Sequence, residues 1–482
     1  MADAKTSDKA ETDDDTTPRF VTGSTMRHTI VMTATGSIGL VAIFIVDFAN
    51  LFYIAQLGET ELAAAIGYAG TLMFFITSAA IGTTIGITAL VSRALGGGDK
   101  DRAKQVAGTG LLFIFALISV LSLTCWLFLE SLLSGLGATG LTLEVAIGFL
   151  QIVIPSMPLL ALGMAMSGLL RAVGDAKRAM YVTLGAGIAA AIMDPIFIFA
   201  LDMGVNGAAV STTLSRFALL GMGIYGAMKV HDLVTLPSQE SLRMHMSGLV
   251  AIALPAIMTN VATPVGNAIV TRAIAPFGDD AVAGWAIVGR IIPVAFGAIF
   301  ALSGAVGPIL GQNYGAGRID RVQRAFMDAL ILILAYCAVV WAILFIARDP
   351  IVALFEADGD AAGLVILFCT YVAASFIFNG ALFVANASFN NLGFATYSTV
   401  FNWGKATIGT LPFVWLGAQM QWGGGGAQGV LIGQAMGSVV FGLAAVVTAY
   451  LVMQKLEPPK GDTPVVAHRP EPAPFASGKA AS

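Results

Sequence analysis

Charge is scarce in this chain. Lys, Arg, Asp and Glu make up 11% of its 482 residues, where a soluble domain carries about a quarter. The net charge of −4 offers no basic surface for nucleic acid. Cysteine is rarer still: Cys125, Cys337 and Cys369 are scattered through apolar runs without metal-ligand spacing, and read as buried free thiols. The four histidines are dispersed, HExxH is missing, and there is no P-loop lysine, so zinc hydrolysis and ATP binding have no residues to use. "GGGAQG" at 424–429 matches a dinucleotide fingerprint by letter only, because it follows no strand and opens an apolar run. The N-terminus lacks the basic start and short apolar core of a cleaved signal peptide, so its first apolar run is expected to stay. An enzyme is not expected, nor any bound cofactor.

What the chain has is apolar length. Hydrophobic residues make up 57% of it, in runs long enough to cross a hydrocarbon core as helices. Twelve spans are predicted: 29–56, 62–92, 104–129, 143–170, 179–201, 206–229, 247–274, 281–311, 325–347, 362–392, 395–418 and 427–453. The connections hold no soluble catalytic domain. Lys and Arg collect in alternate connections, such as "SRALGGGDKDRAK" and "GRIDRVQR", with Arg272 and Arg348 as exceptions. By the positive-inside rule both termini are then cytoplasmic.

An internal repeat divides the spans. Gly96 aligns with Gly315, Gly174 with Gly393 and Gly207 with Gly426, all at an offset of 219. The expected fold class is an all-α polytopic membrane protein of two six-helix lobes, related by a pseudo-two-fold axis along the membrane normal. Residues 1–28 form a disordered tail, 29–229 the N-lobe, 230–246 a linker, 247–453 the C-lobe and 454–482 a second tail. Such repeats place substrate between lobes that alternate in access.

Two carboxylates interrupt the apolar spans of the N-lobe. Asp47 sits in "VAIFIVDFANLFYIAQLG", and at an offset of 220 its counterpart in the C-lobe is Asn267. Asp194 precedes Pro195, which removes a backbone donor and distorts a helix. Measured along outward-running spans they lie roughly 25 Å and roughly 23 Å in, with Thr212 at a comparable level. A carboxylate at that depth costs about 2.5–3.5 kcal/mol on insertion scales, so a proton, Na⁺ or a cationic drug is expected to compensate it. The structural alternatives stay open: a cap on a broken helix for Asp47, an oriented kink for Asp194. Asn50 and Pro195 join Thr212 as expected cavity residues. In the C-lobe, Asn260, Asn267, Arg290 and Lys405 are candidate polar or gating residues, although Arg290, Lys405 and Arg216 could equally snorkel to an interface.

Taken together, "LVSRALGGGDKDRAKQ", "GLLRAVGDAKRAMYV", "DPIFIFALDMGVNGAAVSTTLSR", "IAPFGDDAVAGWAIVGRI" and "ILGQNYGAGRIDRVQRA" resemble the multidrug and toxic compound extrusion (MATE) transporters. The resemblance covers residues 29–453. It implies a plasma (inner) membrane antiporter that exports cationic or amphiphilic compounds, with H⁺ or Na⁺ as coupling ion and the lipid bilayer and small molecules as partners. A monomer is expected. It also implies that Asp47, Asp194 and Thr212 line the N-lobe cavity, as in proton-coupled members. One position departs: Ala190 stands where that branch has asparagine, four residues before Asp194. Spans 7 and 10 lack the acidic residues of the sodium-coupled branch, which favours protons. The rival expectation is a lipid or lipid-linked oligosaccharide flippase of the same superfold.

Overall fold

The computed structural model describes residues 18–55, 60–419 and 425–459; side chains at 47–52, 54, 55, 60, 61 and 63 lie outside the described part. The N-lobe opens with α1 (Thr25–Ala55), α2 (Thr60–Gly96) and α3 (Lys100–Leu127), followed by the short α4 (Leu129–Gly135). Its fourth span is two helices, α5 (Gly140–Val153) and α6 (Met157–Ala172), joined by a 3₁₀ turn at Ile154–Ser156. Then α7 (Ala176–Pro195) and α8 (Gly204–Ile224) each run on into a π turn, Ile196–Ala200 and Tyr225–Val230.

The C-lobe follows the same plan. It comprises α9 (Gln239–Ile274), α10 (Asp279–Gly315) and α11 (Ile319–Leu354), then α12 (Gly359–Thr370) and α13 (Phe376–Leu392) around a 3₁₀ turn at Val372–Ser375. The eleventh span breaks into α14 (Ala395–Ala406) and α15 (Leu411–Gln419), and α16 (Gly426–Gln454) closes the lobe. Ten of the described stretches are long and apolar enough to cross a membrane. The sixth span and the broken eleventh are held by their neighbours, α8 by α6 and α7, and α15 by α16.

The repeat is visible in the backbone. Left-handed residues recur in pairs at the same offset: Gly98 with Gly317, Gly137 with Glu356, Gly140 with Gly359 and Gly174 with Gly393. The breaks in the fourth and tenth spans correspond too. In the fourth, Pro155 cannot donate, and carbonyls that an unbroken helix would satisfy must find other partners. Side chains supply them: Trp126 Nε1 donates to Gln151 O (3.4 Å), Thr213 Oγ1 to Ile152 O (3.4 Å) and Arg216 Nη1 to Val153 O (2.9 Å). Arg216 also reaches Ser156 Oγ at 2.6 Å and is buried. It therefore does not snorkel; it caps a break.

Order extends beyond the expected boundaries at two places. Residues 18–24, placed in a disordered tail on sequence grounds, are held by hydrogen bonds to both lobes, and Phe20 is buried. Residues 239–246, expected as linker, are the first turns of α9. The remaining linker docks on the N-lobe, with Lys104 Nζ 2.5 Å from Asp232 and Leu233 buried.

Candidate functional site

The lobes meet through α1, α2, α9 and α10, and they meet at one end. A Cβ on Gly96 would stand 2.0 Å from Gln312 O, and one on Gly315 would stand 2.0 Å from Arg93 O. Only glycine lets these backbones close. Around them the two lobes exchange hydrogen bonds. Arg93 of α2 donates to Asn391 O (Nε, 2.6 Å) and Asn390 O (Nη2, 3.1 Å), at the C-terminus of α13. Gln312 of α10 donates through Nε2 to Ala172 O (2.6 Å), at the C-terminus of α6. Arg93 and Gln312 are repeat equivalents, as are Ala172 and Asn391. Each lobe thus caps a helix end of the other, where carbonyls lack intrahelical partners. The hydrophobic cores cross at the same level: Ala176 joins the C-lobe core and Ala395, its equivalent, the N-lobe core.

Residues 18–24 lie across this seam. Arg19 Nη1 donates to Gly174 O (3.0 Å) in the N-lobe. Phe20 N donates to Gln312 Oε1 (2.9 Å), while Phe20 O accepts from Asn313 Nδ2 (3.1 Å) and Arg321 Nη2 (2.9 Å) in the C-lobe. The segment is a strap.

Beyond the seam the lobes part. On the α2 face that carries Gly82 and Gly86 against α9, Ser78 is still buried, but Phe75, Thr71, Gly67 and Ala64 are exposed. Their equivalents on α10 repeat the pattern. Gly297 and Ala301, which meet Phe44 and Gly36 of α1, are buried, whereas Val294, Arg290, Ala286 and Ala283 are exposed. The walls of the cleft are therefore equivalent faces of α2 and α10, and the cleft opens away from the strap.

Asp194 sits in the N-lobe, at the end of α7, which packs beside α1. α1 and α7 run side by side, Gly39 meeting Thr183 and Gly187 meeting Ala42 and Val46. Continuing that register sets Asp194 level with the α1 turn at 50–53, one turn beyond Asp47. Asp194 is 1% exposed. Pro195 ends α7 beside it, and the π turn that follows packs so closely that a Cβ on Gly207 would stand 2.4 Å from Phe197 O. Such π turns gather at functional positions. Thr212 is half-buried on α8, and its neighbour Ser211 lies 3.5 Å from the carbonyl of Ala190. The side chains of Asp47 and Asn50 lie outside the described residues. A carboxyl group in this setting can hold a proton or a monovalent cation.

The C-lobe candidates are placed differently from one another. Arg290 is exposed on the cleft face of α10, level with the α1 turn that carries Asp47 and Asn50. Lys405 does not snorkel: it donates to Asn379 Oδ1 inside the lobe. Asn260 Nδ2 bonds back to Ala256 O of its own helix (2.8 Å), and Asn267 is exposed near the far end of α9. Lys405 heads a line of amides that sequence reading missed. Asn402 Nδ2 donates to Asn386 Oδ1 (3.0 Å), and Ser398 Oγ to Asn390 Oδ1 (3.2 Å), which leads to the carbonyls held by Arg93. The signal was present as amides at helical spacing in "FNGALFVANASFNNLG" and "STVFNWGK". Among the described residues no cluster of three metal-ligating side chains occurs.

Two equivalent lobes, sealed at one end and open at the other around broken helices, are the architecture of a membrane transporter. The chain belongs to the MatE family, whose model matches residues 37–196 and 255–416. It is 29% identical over 433 residues to the FAD transporter of Shewanella oneidensis, covering 88% of this chain and 94% of that protein. It is 25% identical over 429 residues to the multidrug export protein MepA of Staphylococcus aureus, covering 87% and 92%. The fold matches the bent form of the Vibrio cholerae MATE transporter VcmN with a TM-score of 0.84 at 23% identity, over 89% and 97% of the two chains. An outward-facing multidrug resistance MATE transporter also matches with a TM-score of 0.84, at 22% identity over 91% and 98%.

Proposed function

We propose that this transporter is an antiporter that exchanges H⁺, in preference to Na⁺, for cationic or amphiphilic small molecules by alternating access. It acts as a monomer in the plasma (inner) membrane with both termini cytoplasmic, and the cleft described above faces outward. The observation that carries the reading is the sealed seam opposite an open cleft, with buried Asp194 in one lobe only. Protonation of the Asp47–Asp194 group favours one shape of α1 and releases substrate; deprotonation restores affinity for a cation. Protons are preferred because Glu240 and Asp360, the acids of α9 and of α12–α13, stand in the first turns of their helices and not at the level of Asp194. The similarity to a multidrug export protein supports the substrate class.

Efflux of a fluorescent cation from proteoliposomes tests this. An imposed pH gradient should drive it and a Na⁺ gradient should not, and Asp194→Asn should reduce it to the rate seen without a gradient. Unchanged gradient-driven efflux in that variant would sink the reading.

A second reading has one specific support. Arg290 in the cleft and Lys405 in the C-lobe suit an anionic substrate, and one relative carries the name FAD transporter. Flavin nucleotide efflux from the same proteoliposomes, abolished by Arg290→Gln while cation efflux is absent, would favour it.

A further inference from the structure

A groove of about 470 Å³ lies on the outside of the N-lobe, where the start of α7 meets the end of α8. It is remote from the cleft. Lys177 and Arg178 stand at its rim, Tyr181 and Tyr225 flank it, and Gly221 and Met222 form part of its floor. The groove faces lipid: Tyr181, Ile188 and Ile192 lie on one helical face of α7 and are about half exposed, while Thr183 and Gly187 turn toward α1. Its apolar floor therefore continues into the stripe that meets acyl chains.

The charge at the rim is net positive. Asp175 also lines the groove, but its oxygens are taken: Oδ1 accepts from Arg178 N (3.0 Å), and Oδ2 lies 2.5 Å from Arg178 Nη1 and 2.8 Å from His231 Nε2. Arg178 keeps donors facing outward, and Lys177 makes no ion pair among the described residues. A Cβ on Gly221 would meet nothing within 4 Å, so space stands open beside the cations. Aromatic rings at the interface, two cations above and apolar side chains below are the chemistry that receives a phospholipid.

We propose that this groove seats the phosphate of an anionic phospholipid on Lys177 and Arg178, with one acyl chain along Met222 and the α7 stripe. The proposal concerns the lipid-facing surface and is independent of what the cleft transports. It is tested on the full chain in neutral detergent, by native mass spectrometry and thermal unfolding with phosphatidylglycerol, phosphatidylcholine or inorganic phosphate added. Phosphatidylglycerol should bind and raise the melting temperature, while the other two leave it unchanged. Lys177→Gln should weaken that binding about fivefold. Gly221→Phe, which fills the space without altering charge, should abolish it. Equal binding of both lipids, or variants that bind as the parent does, would overturn the proposal. A shift reproduced by inorganic phosphate alone would replace it with a free-anion site. Lys177 is exposed, so its variant keeps the test decisive if Gly221→Phe does not fold.

Discussion

At the scale of single residues, Arg93 is the side chain on which the seam most depends. It is buried at 5% exposure, lies 5.7 Å from the ring of Tyr314 and holds two carbonyls at a helix end. Hydrogen bonds from a charged donor contribute about 1.5–3 kcal/mol each, and a cation at a helix C-terminus adds to that. Arg93→Gln keeps one donor and loses the charge, so thermal unfolding should show a clear drop in melting temperature. A variant as stable as the parent would remove Arg93 from this role. Asp175 makes a prediction about pH. Burial pushes its carboxyl up, but hydrogen bonds from His231 and Arg178 outweigh this and hold it well below the usual carboxylate range. A lowered folded value contributes stability above the unfolded one, near pH 4, and loses it only as pH falls through the folded value. Asp175→Asn should therefore be less stable than the parent at neutral pH, with the gap undiminished at pH 5. Melting curves in which the gap has closed by pH 5 would contradict this.

At the scale of elements, close approach decides which helices can slide. Gly315 admits Arg93 O at a distance no side chain tolerates. Gly315→Val should hold α2 and α10 apart, and a cysteine placed at the seam should then be labelled from the strap side in the variant but not in the parent. The spans themselves were legible, because apolar length and periodicity survive any packing arrangement. Their breaks were not. Pro155 sits in an apolar run like any other proline, and its C-lobe counterpart, "VAAS", contains no proline at all. That turn is imposed by packing, which local sequence does not record. Arg216 was misjudged for the same reason: an arginine in a span reads as snorkelling until the carbonyls freed by Pro155 are seen beside it. Asp194 was legible as a candidate because a carboxylate is costly in a span wherever it falls, and Pro195 only because it stands beside that carboxylate.

At the scale of the molecule, the two lobes share one seal, and a short peptide bonds to both of them across it. The repeat offset of 219 anticipated the equivalence of the lobes, yet the aligned letters Arg93 and Gln312 differ, so their shared task was hidden. The strap was hidden too, since "PRFVTGS" follows a polar acidic stretch and nothing local marks Phe20 as buried. Large-to-small changes at such a site cost about 3–5 kcal/mol. Phe20→Ala should loosen the seam, and crosslinking between cysteines placed across it should fall relative to the parent.

The unequal pair at the seam has a mechanical consequence. On one side a cation, Arg93, grips the opposing helix; on the other a neutral amide, Gln312, does the same work with a weaker hold. The strap adds its own bonds on the Gln312 side alone, and so evens the grip. With both sides matched, neither half of the seal yields before the other. Without the strap the joint would give first at Gln312 and tear open as a peel, like a zip released from one end.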